Sequence, residues 1–258
     1  MSTATNPASR IALLTGGSRG LGKSMALALA DHGTDLVITY RKEAAEAESV
    51  VSAITAKGRK AVALPLDVGD TKSFPGFVDA LRRELESRWG RSKIDALINN
   101  AGMGVHAPFA ETTEEQFDAL MNVHLKGAFF LTQRVLPLIV DGGRILNVST
   151  GLARFSLPGY AAYATMKGGV EVLTRYLAKE LGPRRISVNV LAPGAIATDF
   201  GGGAVRDNPQ VNQFVASVTA QGRAGVPEDI GGAVAMLLSP EMGWMTAQRI
   251  ELSGGMYL

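Results

Sequence analysis

Tyr163 and Lys167 stand four residues apart in the run Tyr-Ala-Thr-Met-Lys. On a helix that spacing puts a phenol and an ammonium on one face. An unperturbed phenol titrates at about 10, too high for easy proton exchange at neutral pH. A nearby cation favours the phenolate and lowers that value. Tyr163 could then pass a proton to or from a substrate oxygen. The plainer reading of the pair is an exposed i,i+4 contact.

A second group of residues suits phosphate binding. Thr15 leads into Gly16-Gly17-Ser18-Arg19-Gly20-Leu21-Gly22, a Gly-x-x-x-Gly-x-Gly run between an apolar stretch and a helical one. Glycines let a backbone turn tightly and approach a pyrophosphate. The helix that follows offers free N–H groups and the positive end of its dipole. Gly16, Ser18, Arg19, Gly20, Leu21 and Gly22 are therefore candidate dinucleotide contacts, the bland alternative being a turn with no ligand. An acidic residue ending the second strand would accept from the ribose 2′-OH of NAD. Here that strand ends Ile38-Thr39-Tyr40-Arg41-Lys42, with no carboxylate before Glu43. Arg41 is placed to pair with a 2′-phosphate and Arg19 to clamp it from the other side, so NADP(H) is expected, with Tyr40 beside it.

These groups need a scaffold, and the chain alternates short apolar runs with amphipathic ones. The apolar runs are Ile11–Leu14, Leu36–Tyr40, Ala61–Leu66, Ile94–Ile98, Arg144–Val148, Ile186–Leu191 and Gln248–Leu252. Their length and Val/Ile/Leu content suit strands buried on both faces. Helical stretches lie between them, including Leu21–Asp31, Ala44–Ala56, Phe77–Trp89, Glu114–Leu136 and Ala161–Leu181. The alternation predicts an α/β, Rossmann-like doubly wound sheet of about seven parallel strands with helices on both faces. Residues 1–258 are expected to form a single domain. Pro75-Gly76 predicts a late start or kink in the third helix, and Pro137 an end to the fourth.

Composition excludes other chemistries. The 258 residues contain no Cys, so thiol nucleophiles, disulfides and cysteine-held metals are out. The 3 His show no metal-ligand spacing, and no metal is expected. Net charge is +2 with dispersed basic residues, which argues against a nucleic-acid face. No apolar run is long enough for a membrane span, and the polar start Met1–Arg10 has no signal-like stretch, so a cytoplasmic location is expected.

The chain resembles the short-chain dehydrogenase/reductase family over essentially its whole length. The resemblance rests on Thr15–Gly22, Asp67-Val68, Asn99-Asn100-Ala101-Gly102, Tyr163 with Lys167, Pro193-Gly194-Ala195-Ile196-Ala197-Thr198 and Ser253-Gly254-Gly255, in that order. It implies that Asp67 touches the adenine, with Val68 beside it, and that Asn100, Ala101 and Gly102 line the adenosine ribose. Pro193, Gly194, Ile196 and Thr198 would hold the nicotinamide amide. Lys167 would bind the nicotinamide ribose and acidify Tyr163. A homotetramer or homodimer is also implied.

Two positions depart from the family pattern. The hydroxyl thirteen residues before the tyrosine is Thr150 where the family usually has Ser. Thr150 takes that role, with Ser149 the runner-up, since a strand should point its side chain to the opposite face. The family's Asn-Leu-x-Gly reads His124-Leu125-Lys126-Gly127, putting His124 at the asparagine. Either its imidazole binds a proton-relay water or it fills space.

The expected activity is NADP(H)-dependent hydride transfer between the nicotinamide and a small or medium apolar carbonyl or secondary alcohol. 3-Oxoacyl-thioester reductases are among the members it resembles. Tyr163 is the acid/base, Thr150 orients the oxygen and Lys167 sustains Tyr163. Residues 195–225, with Gly201-Gly202-Gly203, are expected to form a substrate lid. One alternative is an enoyl-thioester reductase using Tyr160, seven residues before Lys167. Another is a regulator that binds the nucleotide without turnover.

Overall fold

A computed structural model describes residues 9–258. Residues 1–8, part of the polar start expected to carry no signal, lie outside the described residues. Seven strands make one parallel sheet: β1 (Arg10–Leu14), β2 (Thr34–Tyr40), β3 (Ala61–Pro65), β4 (Ile94–Asn99), β5 (Ile139–Val148), β6 (Ser187–Pro193) and β7 (Arg249–Leu252). Their order is β3-β2-β1-β4-β5-β6-β7. The sequence order reverses between β1 and β4, and at such a switch point the carboxyl ends of the strands open a crevice.

Strand alternation divides the core. Ile11 and Leu13 face one side with Leu81, Leu85, Leu131 and Ala178. Ala12 and Leu14 face the other with Met25, Val50, Ile54 and Val234. The first side is covered by α3 (Phe74–Trp89), α5 (Gly127–Val135) and α6 (Ala161–Glu180). The second is covered by α1 (Gly20–Asp31), α2 (Ala44–Ala56) and α9 (Pro227–Leu237). Between them in sequence lie α4 (Glu114–Leu120) and the short α7 (Ala204–Asp207) and α8 (Pro209–Ser217).

Two helix expectations need correction. The third helix neither starts late nor kinks: it begins at Phe74, with Pro75 in its first turn. A proline there gives up an N–H that no helix partner would use. The stretch Glu114–Leu136 is not one regular helix. Thr113 and Gln116 form a capping box for α4, and then Met121–Lys126 widens into a π-helical segment before α5. Such segments re-aim side chains and collect at functional sites. This one carries His124 into the interior. The helix stops at Val135 as Pro137 predicts, through a short 3₁₀ turn over Leu136–Leu138.

Candidate active site

The loop after β1 is shaped by its neighbours. Gly16 has φ +68°, a left-handed conformation that favours glycine. A Cβ on Gly22 would overlap the Gly16 carbonyl, so the helix can enter this close only as glycine. Asn100 binds the loop directly. Its Nδ2 donates to the carbonyls of Thr15 at 2.9 Å and Gly16 at 3.1 Å. The backbone N–H groups of Asn100 and Ala101 both donate to Thr15 Oγ1 at 3.0 Å. Asn100 is thus a buttress of the loop, a job its resemblance-based role at the ribose did not include.

The N-terminus of α1 has no side-chain cap and no acidic residue in its first turn. Its free N–H groups and glycine cradle fit a pyrophosphate. Arg41 is exposed just past β2 and makes no ion pair among the described residues. Tyr40 beside it is half-buried. Arg19 lies 3.7 Å from Asp199, which also pairs with Arg206. Asp67 is exposed and accepts from Gly69 N at 2.8 Å, while Val68 is buried. Pro193 ends β6, Thr198 is buried, and Ile196 bridges Gly225. That bridge closes the base of the 195–225 segment. The set fits a phosphorylated dinucleotide along the carboxyl edge of the sheet. Among the described residues no cluster of three metal-binding side chains occurs.

Tyr163 and Lys167 are both buried, and they share a face of α6 as their spacing predicts. Lys167 Nζ donates to the Val148 carbonyl at 2.6 Å and lies 5.8 Å from the centre of the Tyr163 ring. Burial pulls the Lys167 pKa down to about 7. The expectation that Lys167 acidifies Tyr163 does not hold in this geometry. Burial pushes the Tyr163 phenol up, the neighbouring Thr150 hydroxyl opposes that rise, and Tyr160 adds to it. Desolvation outweighs the neighbour because an ion in a dry pocket loses more hydration than a partly neutral amine returns.

Thr150 lies two residues past the end of β5, in extended conformation, and its hydroxyl accepts from Leu152 N at 3.3 Å. Ser149 points away, as strand alternation predicts, and its hydroxyl donates to Glu171 Oε1 at 2.7 Å. Tyr160 caps α6 and packs edge-on against His106 at 5.0 Å. Phe200 reaches the Tyr163 ring at 5.7 Å, and Phe155 meets Tyr257 at 4.8 Å.

His124 is buried and edge-on to the Tyr163 ring at 5.1 Å. Its Nε2 lies 2.7 Å from the Met103 carbonyl and 3.3 Å from the Met103 N–H, and the shorter contact assigns the proton to Nε2 as donor. Gly102 makes room for it, since a Cβ there would sit 2.8 Å from His124 Cε1. The other nitrogen, Nδ1, is buried without a partner. His124 and Lys167 both line a cavity of about 10 Å³, space for one water. Burial first, and Lys167 second, depress the His124 pKa to about 3. A buried base with a lowered pKa stabilises the fold above its unfolded value of about 6.5. That stability is lost as pH falls from there towards about 3. His124→Asn should therefore narrow the gap in Tm between pH 7 and pH 4, by more than any loss it causes at pH 7 (thermal denaturation at both pH values).

Two features escaped the sequence reading. Asn99 Nδ2 donates to Thr132 Oγ1 and Asn147 Oδ1, and Asn147 Nδ2 to Thr174 Oγ1, tying β4 and β5 to α5 and α6 behind the site. Asparagines within apolar strands were the available signal. The second is an ion-pair chain around Arg249, for which short-range spacing offers no signal.

The sequence profile of the family described as Enoyl-(Acyl carrier protein) reductase matches residues 16–257. An uncharacterized oxidoreductase of Methylorubrum extorquens is 35% identical over 246 residues, covering 95% of this chain and 97% of that protein. Tetrahydroxynaphthalene reductase PfmaG of Pestalotiopsis fici is 36% identical over 259 residues, covering 96% of this chain and 91% of its own. The crystal structure of angucycline C-6 ketoreductase LanV with bound NADP superposes with a TM-score of 0.92 at 35% identity, covering 96% and 95% of the two chains. With these matches spanning nearly the whole chain, the chain belongs to the short-chain dehydrogenase/reductase family of oxidoreductases.

Proposed function

We propose that the chain is an NADPH-dependent ketone reductase with Tyr163 as its general acid, acting on apolar, ring-bearing substrates. The observation that carries this is the buried Tyr163–Lys167 turn with Thr150 beside the phenol. When bound, NADPH supplies a hydride to the carbonyl carbon. Tyr163, whose raised pKa keeps it protonated at neutral pH, donates its proton to the carbonyl oxygen. Thr150 hydrogen-bonds the same oxygen and orients it. Lys167, poised at about 7, can return a proton towards the phenolate. His124 stays neutral and offers the Nδ1 lone pair to a water held beside Lys167. The protonated phenol supports the reduction direction over alcohol oxidation.

The aromatic walls, Phe155, Tyr160 and Phe200, suit a flat apolar substrate, and Arg154 is already taken by Glu251. The names of the naphthalene and angucycline reductases agree with that class. The segment 195–225 acts as the lid, its Phe200 lying over Tyr163. Exposed Phe129, Phe130 and Tyr176 on α5 and α6 support a homo-oligomer.

Arg41 supplies the test of cofactor choice. In NADPH and NADH oxidation assays against a panel of aryl ketones, the wild type should prefer NADPH. Arg41→Ser should raise KM for NADPH about 10- to 100-fold, the worth of a charge-assisted contact, and leave KM for NADH near its wild-type value. Equal use of both cofactors by the wild type would overturn the NADPH assignment.

A further inference from the structure

We propose that Arg249, on β7, is a positioning residue for Thr150: its guanidinium holds the Thr150 backbone carbonyl and so sets the direction of the Thr150 hydroxyl. The proposal rests on the role given to Thr150 above.

Strand pairing alone leaves Thr150 loosely held. The last ladder bond nearby runs from Ser149 N to the Leu191 carbonyl at 2.6 Å. Beyond it the chain leaves β5 for a 3₁₀ turn over Gly151–Ala153, in which the Thr150 carbonyl accepts one long hydrogen bond, from Ala153 N at 3.3 Å. β7 cannot pair with β5, because β6 lies between them. The register sets Asn147, Val190 and Arg249 side by side across the three strands. From there the Arg249 side chain crosses β6, and its Nη2 donates to the Thr150 carbonyl at 3.2 Å.

The guanidinium is fixed on its other edges. Its Nε donates to Glu171 Oε1 at 2.9 Å and its Nη1 to Glu251 Oε2 at 2.7 Å. Glu171 also takes the Ser149 hydroxyl, so Ser149 and Thr150 hang from one ion-pair chain. Glu251 is held in turn by Arg154 at 2.9 and 2.6 Å and by Ser253 at 2.8 Å. These contacts, Arg154 first, keep the Glu251 carboxyl down at about 2, so the anchor stays charged across the working pH range. Three acceptors lie around one planar fork. A lysine ammonium is a single point charge on a flexible stem and does not reproduce that geometry.

A positioning role separates from a structural one in a double-mutant cycle. Arg249→Met keeps the stem and removes the fork. It should lower kcat for ketone reduction about 10- to 100-fold, the scale of an ångström-sized misplacement. NADPH affinity, read by fluorescence titration, should change less than about 2-fold. In a Thr150→Ala background, the same substitution should cost less than about 2-fold more, because the hydroxyl it positions is gone. Arg249→Lys should behave like Arg249→Met. Equal losses in both backgrounds, or full rescue by lysine, would overturn the proposal while leaving Thr150 in its role. Full activity in Thr150→Ala alone would remove the role of Thr150, and the proposal with it. If Arg249→Met melts below the assay temperature, Glu171→Gln carries the same cycle: it weakens the anchor of the fork at unchanged side-chain size, and the same additivity criterion applies.

Discussion

Tyr163→Phe should stop ketone reduction and leave NADPH binding intact. The phenylalanine ring still fills the contacts with His124 and Phe200, so the pocket keeps its shape. Only the hydroxyl is lost, and with it the proton for the carbonyl oxygen. General acid catalysis contributes about 10²- to 10⁴-fold, and kcat should fall by that factor. NADPH affinity by fluorescence should stay within about 3-fold, since one hydroxyl is a small part of a large dinucleotide contact set. Tyr160→Phe is the matched control. Tyr160 sits at the helix start against His106, and its loss should cost less than about 10-fold. The reverse ranking would favour the enoyl-reductase reading. A fully active Tyr163→Phe would end the assignment of the acid.

Gly22→Ala should abolish useful cofactor binding. The added methyl falls on the Gly16 carbonyl, which is backbone and has few ways to yield. The same methyl would also press on Asn100 Nδ2, which donates to that carbonyl. Either α1 backs away from the loop or the loop opens, and both outcomes break the cradle for the pyrophosphate. NADPH affinity should drop by more than about 100-fold, equivalent to roughly 3 kcal/mol. Overpacking should also cost about 1–3 kcal/mol of stability, read as a lower Tm. An unchanged affinity would mean that the loop does not bind the cofactor in this form.

Much of the fold was legible because its strands are short, apolar and buried on both faces. The seven runs beginning at Ile11 and ending at Leu252 each correspond to a strand. The loop was legible because its glycines do one local job. The region around His124 was harder. Its apolar spacing reads as one helix, but the extra residue per turn over Met121–Lys126 comes from packing against Met103 and Tyr163, not from local propensity. Pro75 misled for a related reason, as its effect depends on which turn it occupies. The electrostatics of Tyr163 were misread because four-residue spacing says nothing about how dry the pocket is. Arg249 and Glu171 are 78 residues apart in sequence, and their ion pair exists only once β7 pairs with β6, on which α6 also packs.

The most direct test of the account follows the hydride itself. An aryl α,β-unsaturated ketone offers two carbons for attack, the carbonyl carbon and the β-carbon. The enzyme would be supplied with NADPH carrying deuterium at the transferred position, and the label located in the product by NMR. The account predicts deuterium on the carbinol carbon of an allylic alcohol. Deuterium on the β-carbon of a saturated ketone, with the carbonyl intact, would contradict it and make the chain an enoyl-type reductase.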